Sequence, residues 1–170
     1  MSNPSHPPSR VIETTIHISA PLPTIRSILL DFQSYPTWSR FIASITPPSS
    51  STELSIGTPL TVTLNPPGGS TMALTPHVVH LDDKGFGWQG HLANVTGLLD
   101  GKHLFLLEEE EEEEGGEGGT IFRHREEFGG VLYTPLMSWL GMGSRTKDGF
   151  EVFGEALKKR AEEVAGKQLS

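Results

Sequence analysis

Two histidines and a glutamate, His103, His124 and Glu126, are the residues best suited to share or move a proton in this chain. Imidazole titrates near neutrality, and a carboxylate beside it fixes its tautomer and raises its basicity. Two of the three fall in a run with the two-residue period of a strand. Thr120, Phe122, His124, Glu126 and Phe128 share one face, and Ile121, Arg123, Arg125 and Glu127 share the other. The second face is mostly charge and suits water, so the first must point inward. Burying an imidazole and a carboxylate is costly unless they are paired, hydrogen-bonded or turned toward a wet cavity. An interior that accepts both is expected to be a lined pocket, and a lined pocket implies a small-molecule ligand.

The partner strand comes from the residues before a run of glutamates and glycines, Glu108 to Gly119. If that run is the symmetric tip of a hairpin, Leu107 pairs with Thr120, Phe105 with Phe122 and His103 with His124. His103, His124 and Glu126 then meet on one patch of wall. A slip of one residue would turn His103 outward. Three uses compete for this trio. His124 and Glu126 could satisfy each other and hold the sheet to a terminal helix, they could fix the polar end of a ligand, or His103 and Glu126 could act as a catalytic acid–base pair. The same lining is expected to include Trp88, beside the small Gly90, with Phe105, Phe122 and Phe153 as wall. Trp38 reads as a core anchor first and a ligand contact second.

These residues need a scaffold, and the pattern supplies one. Val11 to Ser19 alternates as a strand, and Ala20-Pro21-Leu22-Pro23 breaks it. Proline is tolerated in a first helical turn, so Leu22 to Asp31 is predicted as a short helix, followed by a brief one at Tyr35-Pro36-Thr37-Trp38. Strands are read at 60–64, 72–81, 86–92, 103–107 and 120–129, with turns at Asn65–Gly69 and Asp82–Gly85. Pro76 inside the second of these suggests an edge or a bulge. After Gly130 the period becomes helical, through Leu132, Leu136, Trp139 and Leu140 and then Phe150, Phe153, Leu157 and Ala161. Gly141, Gly143 and Gly149 predict a kink or an irregular start to that helix. The expected fold is α+β: a curved antiparallel sheet of about six to seven strands around a long C-terminal helix. It spans residues 10–165 as one domain, with tails at 1–9 and 166–170 and a flexible loop at 108–119.

Composition narrows the function. The net charge of −8 argues against nucleic acid or an anionic membrane as main partner. Without cysteine, neither disulfides nor thiolate chemistry enters. No apolar run reaches the roughly 18 residues of a membrane span, and the first ten residues lack a signal-peptide core. A cytoplasmic protein is the expectation. No metal site is expected: His77 and His80, three apart on one strand, should face opposite ways, and His91 should face outward. No glycine cluster has the strand-then-helix setting of a nucleotide loop, so no cofactor is expected, and no serine sits in an elbow motif.

The ordered pieces resemble a known superfamily. Ile18-Ser19-Ala20-Pro21, Leu30-Asp31-Phe32, Tyr35-Pro36-Thr37-Trp38 and Phe41 are similar to the opening of SRPBCC domains. Gly57, Trp88-Gln89-Gly90, Asp100-Gly101-Lys102-His103 with Phe105, and Phe122 to Gly129 resemble the later strands. Gly149-Phe150 and Ala156-Leu157-Lys158 resemble the terminal helix. This is the START and birch-pollen-allergen superfamily, and the resemblance is nearest to its polyketide cyclase/dehydrase group. It covers roughly residues 11–163. It implies a helix-grip fold, a deep hydrophobic cavity and a lipid-like, aromatic or polyketide-like ligand, but no particular reaction, because carriers and cofactor-free cyclases or dehydratases share the fold. Oligomeric state is left open.

Overall fold

The computed structural model describes residues 10–48, 53–110 and 118–168. Strand β1 is Val11–Ile18, ended by Pro21. Helix α1, Leu22–Leu30, carries Pro23 in its first turn, where a missing N–H breaks no helical bond. It buries Leu22, Ile25, Ile28 and Leu29. A 3₁₀ turn at Phe32–Ser34 leads to the one-turn helix α2, Tyr35–Trp38. Seven strands follow: β2 Ile42–Thr46, β3 Thr61–Leu64, β4 Met72–Leu74, β5 His77–Asp82, β6 Gly85–His91, β7 Asp100–Glu110 and β8 Gly119–Gly129. A π-type turn, Pro135–Trp139, precedes helix α3, Met142–Gln168. The irregular start expected from the glycines is therefore a separate turn.

All pairings are antiparallel, in a five-stranded order β1-β8-β7-β6-β5 and a three-stranded order β2-β3-β4. The two sheets join where Val78 N–H donates to the Thr58 carbonyl at 2.9 Å and Leu60 N–H to the Pro76 carbonyl at 2.8 Å. α3 lies in the grip, with Phe150, Phe153, Leu157 and Ala161 fully buried. Two features raise the strand count to eight. Ile42–Thr46, which follows α2 directly, is a strand that its five residues are too few to announce by period. Pro76, which has no N–H for a ladder, cuts the 72–81 run at the corner between the sheets.

β7 and β8 pair two residues further along than a symmetric tip predicts. His103 lies opposite Glu126, Phe105 opposite His124 and Leu107 opposite Phe122. An even slip keeps every side chain on its predicted face. The cause is that Glu108, Glu109 and Glu110, read as loop, continue β7 opposite Ile121, Thr120 and Gly119. Side chains on neighbouring strands take up two of these carboxylates: Arg123 donates to Glu108 at 3.2 Å, and His17 Nε2 lies 2.9 Å from Glu110. The rest of that loop reading, 111–117, falls outside the described residues, as does the tail 1–9. Residues 166–168, read as tail, continue α3.

Smaller departures have local causes. A bulge between Val78 and His80 puts His77 opposite Gln89 and His80 opposite Gly87, so the two histidines share a face instead of opposing each other. β6 ends at His91, leaving Leu92 in a 3₁₀ turn. Among the described residues, no cluster of His, Asp and Glu could hold a metal, and no helix is long and apolar enough to cross a membrane.

Candidate functional site

The interior between sheet and helix has two unlike ends. Toward α1 and α2 it is solid. Phe105 and Phe122 are nearly parallel at 6.3 Å between ring centroids, and Phe153 sits 5.6 Å from Phe105 and 6.1 Å from Phe122. Trp38 packs here, 4.8 Å from Tyr35 and 5.3 Å from Phe153, its indole N–H donating to Ser34 Oγ at 3.1 Å. Trp38 is thus a core anchor, and Phe122 and Phe153 are packed core.

Toward the β6–β7 turn region the interior opens into a cavity of about 120 Å³. Its apolar wall comes from Phe41, Leu64, Met72, Leu74, Leu99, Phe128, Met137 and Met142, and Trp88, Gly90, Gly101, Glu126 and Thr146 complete much of the rest. Apart from Met1, every methionine of the chain is on this wall. Thioether side chains are adaptable, so the wall can reshape around a guest. Open grooves of about 400 Å³ lie elsewhere, one of them bounded by Val11, Glu13, Tyr133 and Lys147. None of these grooves borders His103, His124 or Glu126. The cavity is far smaller than the deep one implied by resemblance, because Phe105, His124 and Phe150 fill the middle of the grip.

Glu126 reaches this cavity because Gly101 makes room. A Cβ built at Gly101 would lie 2.6 Å from Glu126 Oε1. Behind the carboxyl runs a chain of imidazoles. Glu126 Oε2 is 3.7 Å from His103 Nδ1, and His103 Nε2 is 2.5 Å from His124 Nε2. His103 also stacks on Trp88 at 4.7 Å, and His124 stacks on Phe150 at 3.7 Å. His124 Nδ1 is buried without a hydrogen bond of acceptable geometry, although the Phe150 backbone beside it partly offsets its desolvation. Three of the expected residues, His103, His124 and Glu126, therefore form one line, of which only Glu126 touches the cavity.

Burial sets the protonation of this line. It pulls His103 down to about 3 and His124 well below the ordinary imidazole range, and His103 lowers His124 further. Both rings are neutral at physiological pH. Burial pushes Glu126 up to about 8, so at neutrality its carboxyl is protonated. The Glu126 side chain keeps 18% of its exposure, against 2% for His103. A neutral carboxylic acid in an apolar recess can donate a hydrogen bond to a ligand oxygen or deliver a proton to it.

One polar pair escaped the sequence reading. His91 borders the cavity, and its Nδ1 lies 2.6 Å from Asp100 Oδ1, which also accepts from the Gly97 N–H at 2.9 Å. These bonds hold the Asp100 carboxyl below its usual range. The two residues are opposite each other in the β6–β7 register, a pairing visible only once that register is known.

The fold recurs in proteins of distant sequence. A START superfamily protein from Mycobacterium smegmatis superposes with a TM-score of 0.66 at 16% identity, over 91% of this chain and 98% of the other. Ara h 8.0201 gives 0.58 at 15% identity, over 89% and 96%. StfQ, a di-domain ARO/CYC of the steffimycin biosynthetic pathway, gives 0.63 at 10% identity, over 94% of this chain and 51% of that one. No curated protein sequence matches the chain. A family model described as polyketide cyclase/dehydrase and lipid transport matches residues 9–162. With nearly the whole domain inside that match and the grip architecture around it, the chain belongs to the polyketide cyclase/dehydrase and lipid transport family.

Proposed function

We propose that this protein binds one hydrophobic small molecule, aromatic, polyketide-like or lipid-like, in the cavity beside Glu126, which fixes the polar end of the ligand. The observation that carries this reading is a protonated carboxyl set in a wall that is otherwise mostly apolar. Such a group is costly to bury and adds nothing to packing that a leucine would not. Trp88 and the three methionines supply apolar contact, and His103 and His124 hold the carboxyl side of the wall. The volume of about 120 Å³ lies a little below the roughly 150 Å³ of a dry cavity that admits benzene, so one ring or the end of an acyl chain fits with a small shift of the wall. A larger guest requires Met137 and Met142 to move.

A cofactor-free cyclase or dehydratase is the second reading, and the raised Glu126 favours it. A carboxyl that titrates near 8 is poised as a general acid at neutral pH. In this reading Glu126 protonates a departing hydroxyl, which leaves as water, and its carboxylate then takes the proton shed by the adjacent substrate carbon, which restores the acid with neutral His103 and His124 behind it. Mass spectrometry of the intact purified protein under native conditions tests binding directly, by showing a co-purified apolar mass that denaturation releases. If the protein is empty and takes up no apolar probe, both readings are lost. Glu126→Gln separates them: turnover disappears in an enzyme, whereas a carrier changes affinity only a few-fold.

A further inference from the structure

We propose that this cavity selects uncharged, oxygen-bearing apolar molecules of about one ring, donates a hydrogen bond from Glu126 to their oxygen, and rejects carboxylates of the same size. The inference rests on the reading that the cavity takes a ligand, and it names the class.

It follows from an inventory of the wall. Among the described residues no lysine or arginine borders the cavity, so an anion entering it would lose its water and gain no cation from them. The polar groups near the space are few, and among the described residues only the Glu126 carboxyl and the Trp88 indole N–H make no side-chain hydrogen bond. Thr146 donates its hydroxyl hydrogen to the Met142 carbonyl at 2.8 Å. His91 turns Nδ1 to Asp100. Of the two unengaged groups Glu126 alone can change its charge: among the described residues, no hydrogen bond uses either of its oxygens, and 3.7 Å to His103 Nδ1 is too long for one. Its hydrogen is unspent and its side chain is incompletely sealed.

The surroundings keep that hydrogen in place. From β7 the facing group is neutral His103, with His124 of β8 behind it, and on β1 the residue opposite Glu126 is Ile12. α3 contributes Met142 and Thr146, neither of them charged. The Asp100 carboxylate nearby is engaged by His91 Nδ1 and the Gly97 N–H at the turn. Burial holds Glu126 protonated up to about 8, so donation to an acceptor should persist to that pH.

Four probes of nearly equal size test this by calorimetric titration of the full-length protein: ethylbenzene, 1-phenylethanol, acetophenone and benzoate. At pH 6.5, acetophenone and 1-phenylethanol should bind about five- to tenfold tighter than ethylbenzene, the yield of one neutral hydrogen bond. Benzoate should bind at least about tenfold weaker than ethylbenzene. At pH 9.5, acetophenone, which can only accept, should lose its advantage, while 1-phenylethanol, which can donate to the carboxylate, should keep it. In Glu126→Gln the amide donates at both pH values, so the acetophenone advantage should survive and become independent of pH. Gly101→Ala, which displaces the carboxyl, should reduce the advantage of both oxygen compounds over ethylbenzene. If benzoate binds as tightly as acetophenone, or the wild-type acetophenone affinity ignores pH, the selectivity is overturned while binding stands. If none of the four binds, the ligand reading falls and the selectivity falls with it.

Discussion

The two ends of the grip are built from the same sheet and the same helix, yet one is filled and the other hollow. At the filled end the inward positions of β7, β8 and α3 are Phe105, Phe122 and Phe153, which meet ring to ring. At the hollow end the inward positions of β6 and β7 are Gly90 and Gly101, and the remaining volume is lined by Met72, Met137 and Met142. Replacing rings by glycines and flexible thioethers is enough to turn core into cavity without altering the backbone plan. The lesson is a division of labour along one axis. Rigid aromatic packing stabilises the fold at one end and so permits an under-packed, polar-tipped recess at the other.

The contrast can be broken most severely from the filled end. Phe105→Ala should destabilise the protein by about 3–5 kcal/mol in urea unfolding, the usual penalty for emptying a fully buried ring site. Met142→Ala at the hollow end should lower stability by about 1 kcal/mol or less, because its surroundings are already incompletely filled. Equal losses at the two sites would erase the distinction.

A smaller effect, in pH, isolates the carboxyl. Folding raises Glu126 from 4.5 to about 8 and lowers His103 from 6.5 to about 3. Above about pH 6.5 the unfolded chain has released the Glu126 proton while the folded one still holds it, so stability should fall by about 2 kcal/mol as pH rises to 8. Below 6.5 the unfolded chain takes up protons on His103 and His124 that the folded one refuses, so stability should fall on acidification too. The maximum should lie near pH 6.5, and Glu126→Gln should flatten the alkaline limb and steepen the acid limb between about pH 4.5 and 6.5. Thermal melts across pH 4 to 9 check both limbs.

Smallest of all is Gly149→Ala. The added methyl would meet the Phe41 ring at 2.4 to 2.8 Å, against a helix-propensity gain of about 1 kcal/mol. A net loss of about 1 kcal/mol is expected, together with altered ethylbenzene affinity, because Phe41 borders the cavity.

Much of this was legible from residue order. The alternation of Thr120 to Phe128 put His124 and Glu126 inward, and helical spacing put Phe150 and Phe153 against them, because period alone decides which face is buried. What period cannot supply is how far two strands slide past each other. Glu108 to Glu110 look like loop residues in isolation, yet they pair with β8, and Arg123 and His17 on adjacent strands lie against two of their carboxylates. That slide set His103 opposite Glu126 and made the trio a line. Nor does spacing reveal volume: whether aromatic rings interlock or leave a gap depends on which of them meet, so the modest size of the recess was invisible. Gly149 read as a weak point of the helix, yet the approach of Phe41 is what requires it.

The facing Nε2 atoms of His103 and His124 have room for a single hydrogen between them. The tautomers of the two rings are therefore locked to each other, and whether His103 Nδ1 carries a hydrogen toward Glu126 dictates the state of Nδ1 on His124. A guest that draws the Glu126 hydrogen toward itself would bias that choice. The nitrogen-15 resonances of His124, a ring the guest never touches, would then report occupancy of the recess from its far side.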